Sequence, residues 1–146
     1  MEIINKIYTS AIVINDAGKS LWQLKDASYP FWPNRWATFG GGVKNGETPL
    51  ECMIREFGVE TGIPIKDFTL FCEKDFSDES ILENKILRTG RIYYYSARIS
   101  ETDARKIKIT EGKDYDFFDR WQLRRLKAQN SIVPYQHEVV ENFLTV

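Results

Sequence analysis

Glu56 and Glu60 are the residues whose chemistry is easiest to name. They stand four apart in a stretch whose spacing predicts a helix over 48–61, so both carboxylates leave one face about a turn apart. Like charges this close repel unless a cation or an arginine lies between them, and Arg55 is adjacent. Hard cations such as Mg²⁺ take oxygen ligands, keep several waters, and bridge one or two protein carboxylates to substrate phosphates. Cutting a phosphoanhydride requires charge neutralisation on the leaving group and a nucleophilic water, and a metal beside a carboxylate base supplies both. Taken alone, paired glutamates more often describe a solvated helix face.

The elements that must position these groups are well punctuated. Thr48 with Glu51 can form a capping box, Pro49 suits the first helical position, and Gly62 suits the residue past the end. Leu50, Met53, Ile54 and Phe57 form a stripe that would pack on a sheet, on a different side from the carboxylates. Gly58 in mid-helix costs about 1 kcal/mol relative to alanine, which close packing beside the preceding loop would explain. A strand over 36–39 feeds the glycine loop Gly40, Gly41 and Gly42, whose backbone can approach a ligand closely. Upstream, strands over 7–14 and 20–24 flank a turn at Asn15 and Gly18. Downstream, strands are expected at 68–76, 91–99, 106–109 and 115–118, with 77–89 as an exposed polar loop. Asp119 caps a short helix over 121–126, and 134–144 is a closing helix with Val139, Val140 and Phe143 on one side. The pattern predicts one α+β domain over 1–146, with helices covering a mixed sheet.

At full spacing, Gly41, five residues, Glu47, seven residues, then Arg55, Glu56 and Phe57, followed by Glu60, Gly62 and Ile63, resembles the signature of the Nudix (MutT-like) hydrolases. Eight of nine specified positions match over 23 residues; the exception is Val59, where the family usually has the first of paired glutamates. The resemblance implies an α/β/α sandwich and attack by water on a nucleoside diphosphate linked to another group. It implies that Glu60 is a metal ligand, that Glu56 is a ligand or the base, and that Arg55 orients Glu56 while pairing with Glu47. It also implies a metal contact from the Gly40 carbonyl. Glu111, in a Glu-Gly turn, resembles the position from which some relatives supply a further ligand or base. Val59 removes up to one unit of ligand charge. The activity expected is Mg²⁺-dependent hydrolysis of a nucleoside triphosphate to a monophosphate and pyrophosphate, with Mn²⁺ as a substitute ion. A nucleoside-diphosphate sugar hydrolase and a nucleotide-binding module without turnover remain open.

The rest of the sequence narrows the class. Twenty basic and twenty-one acidic residues give a net charge of −1, so no global field favours nucleic acid or a membrane surface. No window approaches about 18 apolar residues, and Cys52 and Cys72 form no metal or disulfide pattern. The expectation is a cytoplasmic protein acting on a small nucleotide, with a homodimer left open. Ala17-Gly18-Lys19-Ser20 lacks the first glycine of a P-loop, and His137 lacks a second histidine for zinc. Tyr29, Phe31 and Trp32 are read first as packing over a sheet edge and second as a stacking surface for a base. Arg88, Arg91 and Lys113 are candidate phosphate contacts, or simply solvated.

Overall fold

The computed structural model describes residues 1–145. β1 (Glu2–Ile14) lies at the centre of a seven-stranded mixed sheet. It runs parallel to β6 (Ile86–Arg98), in register from Glu2 opposite Ile86 to Ile14 opposite Arg98. β6 pairs antiparallel with β5 (Thr69–Glu79). On the other flank, β2 (Ser20–Leu24) meets β1 at Ile14 and Ser20 and carries β3 (Trp36–Ala37) and β7 (Asp114–Phe118). β4 (Gly40–Gly42) pairs antiparallel with β1, so the glycine loop is itself hydrogen-bonded sheet.

Side chains of a strand alternate between faces, and here both faces are covered. Ala11 and Val13 join Met53 and Phe57 of α1 (Pro49–Thr61) in one core. Ile12 and Ile14 join Leu123 of α3 (Arg120–Ala128) and Val139 and Val140 of α4 (Pro134–Leu144) in a second core. The end of β1 is therefore apolar at every position, as a doubly covered strand must be. This is the expected α/β/α sandwich.

Helix α1 starts and stops where its punctuation indicates. Thr48 and Glu51 form the reciprocal capping box, and Gly62 closes the helix in the left-handed region at φ 77°. Its buried side is rotated from the expected stripe. Cys52, Met53, Phe57 and Thr61 are buried while Leu50 stays 39% exposed. Thr61 can sit inside because its hydroxyl donates to the Phe57 carbonyl at 2.6 Å. Close packing does not account for Gly58, since a Cβ there would meet nothing within 4 Å.

Two further expectations are corrected. Residues 77–89 are not an exposed loop: β5 and β6 continue as a long hairpin and turn only between Glu79 and Ile86. Its charges face partners across the ladder, Asp75 opposite Arg91 and Asp78 opposite Arg88, which is how a polar sequence becomes strand. Residues 106–109 are not a strand. Ile107 and Ile109 do pack on the α1 core, but the backbone bonds run to the end of α1, from Lys108 N–H to Thr61 and from Thr110 N–H to Glu60. A short helix, α2 (Glu101–Ala104), capped by Ser100, precedes them.

Candidate active site

The catalytic candidates are set by α1 and the strand it packs on. Arg55 donates to Glu47 through Nε at 2.6 Å and Nη2 at 2.9 Å, and to Glu56 Oε1 through Nη1 at 2.7 Å. One guanidinium thus fixes both carboxylates in a planar fork, as expected of the motif. Glu56 lies directly over Gly41: a Cβ at Gly41 would come within 2.5 Å of the Glu56 carboxyl carbon. Gly40 donates its N–H to Glu60 Oε1 at 3.0 Å. A Cβ at Gly40 would fall 1.9 Å from the Thr9 carbonyl, so β4 can lie this close to β1 only as glycine.

The electrostatics differ sharply between these carboxylates. The Arg55 guanidinium holds the Glu47 carboxyl down at about 2. Burial pushes Glu60 up to about 8; Lys25 opposes that shift, and the charges of Glu56 and Glu111 add to it. A buried carboxyl next to another carboxylate is a group that a divalent cation would hold ionised, and two carboxylates completed by water and phosphate form a donor set that Mg²⁺ accepts. Among the described residues no three acidic, histidine or cysteine side chains form a ready-made cage. Glu111 is exposed, close enough for its charge to act on Glu60, on the segment whose Thr110 N–H bonds the Glu60 carbonyl. Val59 is 60% exposed on the same helix.

A cleft of about 230 Å³ opens beside the glycine strand. It brings Tyr8, Phe31, Phe76 and Tyr135 together from β1, the 25–35 loop, β5 and α4, with Lys25 and Arg88 on its walls. Tyr29, Phe31 and Trp32 of the aromatic loop all line this cleft. Among the cationic candidates only Arg88 lies here, since Arg91 pairs with Asp75 and Glu73 and Lys113 bonds Asn34. Lys25, Asp78 and Tyr135 were not singled out from sequence. Asp78 and Arg88 carry one signal that could have found them, opposite charges that a hairpin register would pair; Tyr135 carries none. Gly18 sits in a tight turn whose Asn15 side chain accepts from the Lys19 N–H, and His137 is buried in α4. No helix among the described residues is long and apolar enough to cross a membrane.

Comparison with known proteins finds relatives of this chain. An RNA pyrophosphohydrolase from Psychrobacter cryohalolentis is 27% identical over 119 residues, covering 76% of this chain and 65% of that relative. The homologue from Psychrobacter arcticus matches to the same extent. The chain thus spans just under two thirds of the length of these curated relatives. Among solved structures, a MutT protein from Methanosarcina mazei superposes with a TM-score of 0.71 at 19% identity, covering 98% of this chain and 95% of the other. A Caenorhabditis elegans Ap4A hydrolase complex gives a TM-score of 0.69, at 19% identity and 96% coverage of both chains. These structural likenesses carry the fold. The NUDIX domain model matches residues 5–142, nearly the whole chain, and the protein belongs to the NUDIX domain family.

Proposed function

We propose that this chain is a Mg²⁺-dependent pyrophosphohydrolase that cleaves a nucleoside triphosphate, or a related nucleoside diphosphate derivative, at a phosphoanhydride bond. The observation that carries this reading is the single guanidinium of Arg55 holding Glu47 and Glu56 at the edge of the glycine strand, with buried Glu60 tied to that strand. Glu56 Oε1 is occupied by Arg55, so Oε2 is the oxygen left either to hold the metal or to take a proton from an attacking water. Arg55, itself anchored by Glu47, keeps that carboxylate oriented and its charge compensated. Lys25, on the cleft wall beside Gly40, Gly41 and Gly42, is placed to meet phosphate oxygens. A bound Mg²⁺, or Mn²⁺ as a substitute, would supply charge neutralisation on the leaving phosphate and a more acidic attacking water. Glu60 and, where it is not the base, Glu56 would be its side-chain donors, with the Gly40 carbonyl and Glu111 proposed to complete the set. For a triphosphate, water adds to phosphorus, the phosphoanhydride P–O bond breaks, and pyrophosphate leaves with the bonding pair.

Val59 leaves this donor set one carboxylate short of the family pattern, which is why a binding module without turnover is the competing reading. The curated relatives named as RNA pyrophosphohydrolases add a 5′-triphosphorylated oligonucleotide to the substrates worth testing. The deciding experiment incubates the protein with Mg²⁺ or Mn²⁺ and a panel of nucleoside triphosphates, dinucleoside polyphosphates, nucleoside-diphosphate sugars and such an oligonucleotide, measuring released phosphate and pyrophosphate. Turnover that drops by about 10²–10⁴ in Glu56→Gln supports the proposal. No turnover above that variant on any substrate refutes it.

A further inference from the structure

One wall of the cleft, formed by Arg88 and Tyr135, is a fixed hydrogen-bonding surface that hydrolysis itself does not need. Arg88 on β6 donates to Asp78 on β5 through Nε at 3.0 Å and Nη2 at 2.8 Å, and the Tyr135 hydroxyl of α4 donates to the same carboxylate at 2.9 Å. The Asp78 side chain is only 2% exposed. Its charge cancels that of Arg88, so a phosphate gains little here from attraction. The guanidinium is also clamped in plane, stacked 3.9 Å over the Phe31 ring. A guanidinium has five N–H donors in a rigid fork. Asp78 takes the Nε edge; the outer edge, one N–H of Nη2 and those of Nη1, has no partner among the described residues. Other fixed polar groups on this cleft donate as well. The Trp32 indole N–H is buried without a partner, and Gln136, whose amide oxygen accepts from Thr38 N–H, has its amino group left.

We infer that this cleft seats the substrate's base between its aromatic walls and that Arg88 reads the base edge, selecting a purine that presents two acceptors side by side, as guanine does with O6 and N7. The inference rests on the proposed nucleotide substrate and deepens it. Adenine offers the same fork one acceptor and one amino group, and the amino group meets a donor. Uracil has an N–H between its two carbonyls, and the adjacent acceptors of cytosine, O2 and N3, share one carbon and stand closer together than O6 and N7 of guanine. The size agrees: ligand pockets commonly run to about 300–1,000 Å³, and the 230 Å³ here suits a heterocycle, with Lys25 and the glycine strand lining the same cleft for the groups attached to it.

Base recognition can be measured without turnover, by titrating GMP, IMP, AMP, UMP and CMP into the protein in EDTA and following tryptophan fluorescence or heat. GMP and IMP, which share O6 and N7, should bind alike, and AMP about tenfold or more weakly. Removing Arg88 alone strands the buried Asp78 charge, so the test pairs Arg88→Met with Asp78→Asn. This pair should bring the GMP:AMP ratio close to one. Arg88→Lys keeps the charge, loses the fork, and should lower the same ratio; it carries the test if the pair fails to fold. AMP binding as tightly as GMP, a ratio unchanged in both variants, or no binding of any monophosphate overturns the inference. Selective GMP binding without hydrolysis on the full panel would leave base reading standing and sink the proposed activity, whereas turnover blind to the base would do the reverse.

Discussion

The two ends of the site are built in opposite ways. The carboxylate end comes from one contiguous segment, Gly41 to Ile63, whose helix, cap and glycine strand place Glu47, Arg55, Glu56 and Glu60 within a few turns of chain. The cleft end is assembled from β1, the 25–35 loop, the β5–β6 hairpin and α4, and its polar centre joins Asp78, Arg88 and Tyr135 across 57 residues of sequence. A reactive geometry can thus be carried by local spacing, while the surface that recognises the rest of the ligand depends on how distant segments meet. It follows that damage at the two ends should separate kinetically. Changes at the carboxylate end should fall on kcat, and changes at the cleft should fall on KM.

The sharpest way to break that contrast is Gly41→Ala. A methyl there would occupy the place of the Glu56 carboxyl, 2.5 Å from its carbon, and force that side chain off Arg55. A displacement of about 1 Å at a reacting group costs on the order of 10²-fold. We expect kcat to fall by roughly that factor with KM little changed; full activity would mean that the Glu56 position is not critical.

The next effect is on stability. With metal chelated, Glu60 carries a pKa of about 8 in the folded chain against 4.5 for an ordinary glutamate, because it is buried. Between those values the folded chain keeps a proton that the unfolded chain has lost, so stability falls as pH rises through that window. The total is on the order of a few kcal/mol. Thermal melts in EDTA should show this decline, Glu60→Gln should flatten it, and saturating Mg²⁺ should offset it. An identical pH profile for parent and variant would show that Glu60 is not the group responsible.

That contrast also explains what could be read in the sequence. The caps of α1 and the alternating faces of the sheet follow from residues close in the chain, where period and spacing suffice, and the Arg55 fork was implied by the family resemblance of that same segment. The hairpin did not, because Asp78 and Arg88 look like solvated charges until a register places them opposite each other. Likewise the alternation of Ile107 and Ile109 was a true burial signal, but the backbone at 106–109 found its partners on a helix end rather than a strand. Periodicity reports which side chains go inside, not what the main chain bonds to. Tyr135 illustrates the remaining limit: its role depends on α4 meeting the hairpin.

Tyr135→Phe tests the cleft end with one atom. It removes a hydrogen bond to a charged acceptor, of a kind worth about 1.5–3 kcal/mol, while Asp78 keeps Arg88. The net loss should lie near the lower figure and lower Tm by several degrees, about 2–4 °C per kcal/mol for a chain of this size. KM should rise a few-fold with kcat unchanged. If kcat fell instead, the two ends would be coupled and the division drawn above would fail.

The smallest expected effect bears on the position where this chain departs from its family. Val59 is three residues after Glu56 and one before Glu60, and it is 60% exposed, so Val59→Glu costs the fold little. Without metal, a third carboxylate three residues from Glu56 adds repulsion of about 0.2–0.5 kcal/mol on the helix. With Mg²⁺ present the same charge becomes a donor. The variant should therefore melt slightly lower in EDTA and slightly higher in Mg²⁺, and reach half-maximal activity at a several-fold lower Mg²⁺ concentration. The opposite signs matter more than their size, because a generic surface effect would move both melts the same way. A Mg²⁺ titration superimposable on the parent would show that metal is held without help from this side of the helix, and the catalytic end would then rest on Glu56 and Glu60 as they stand.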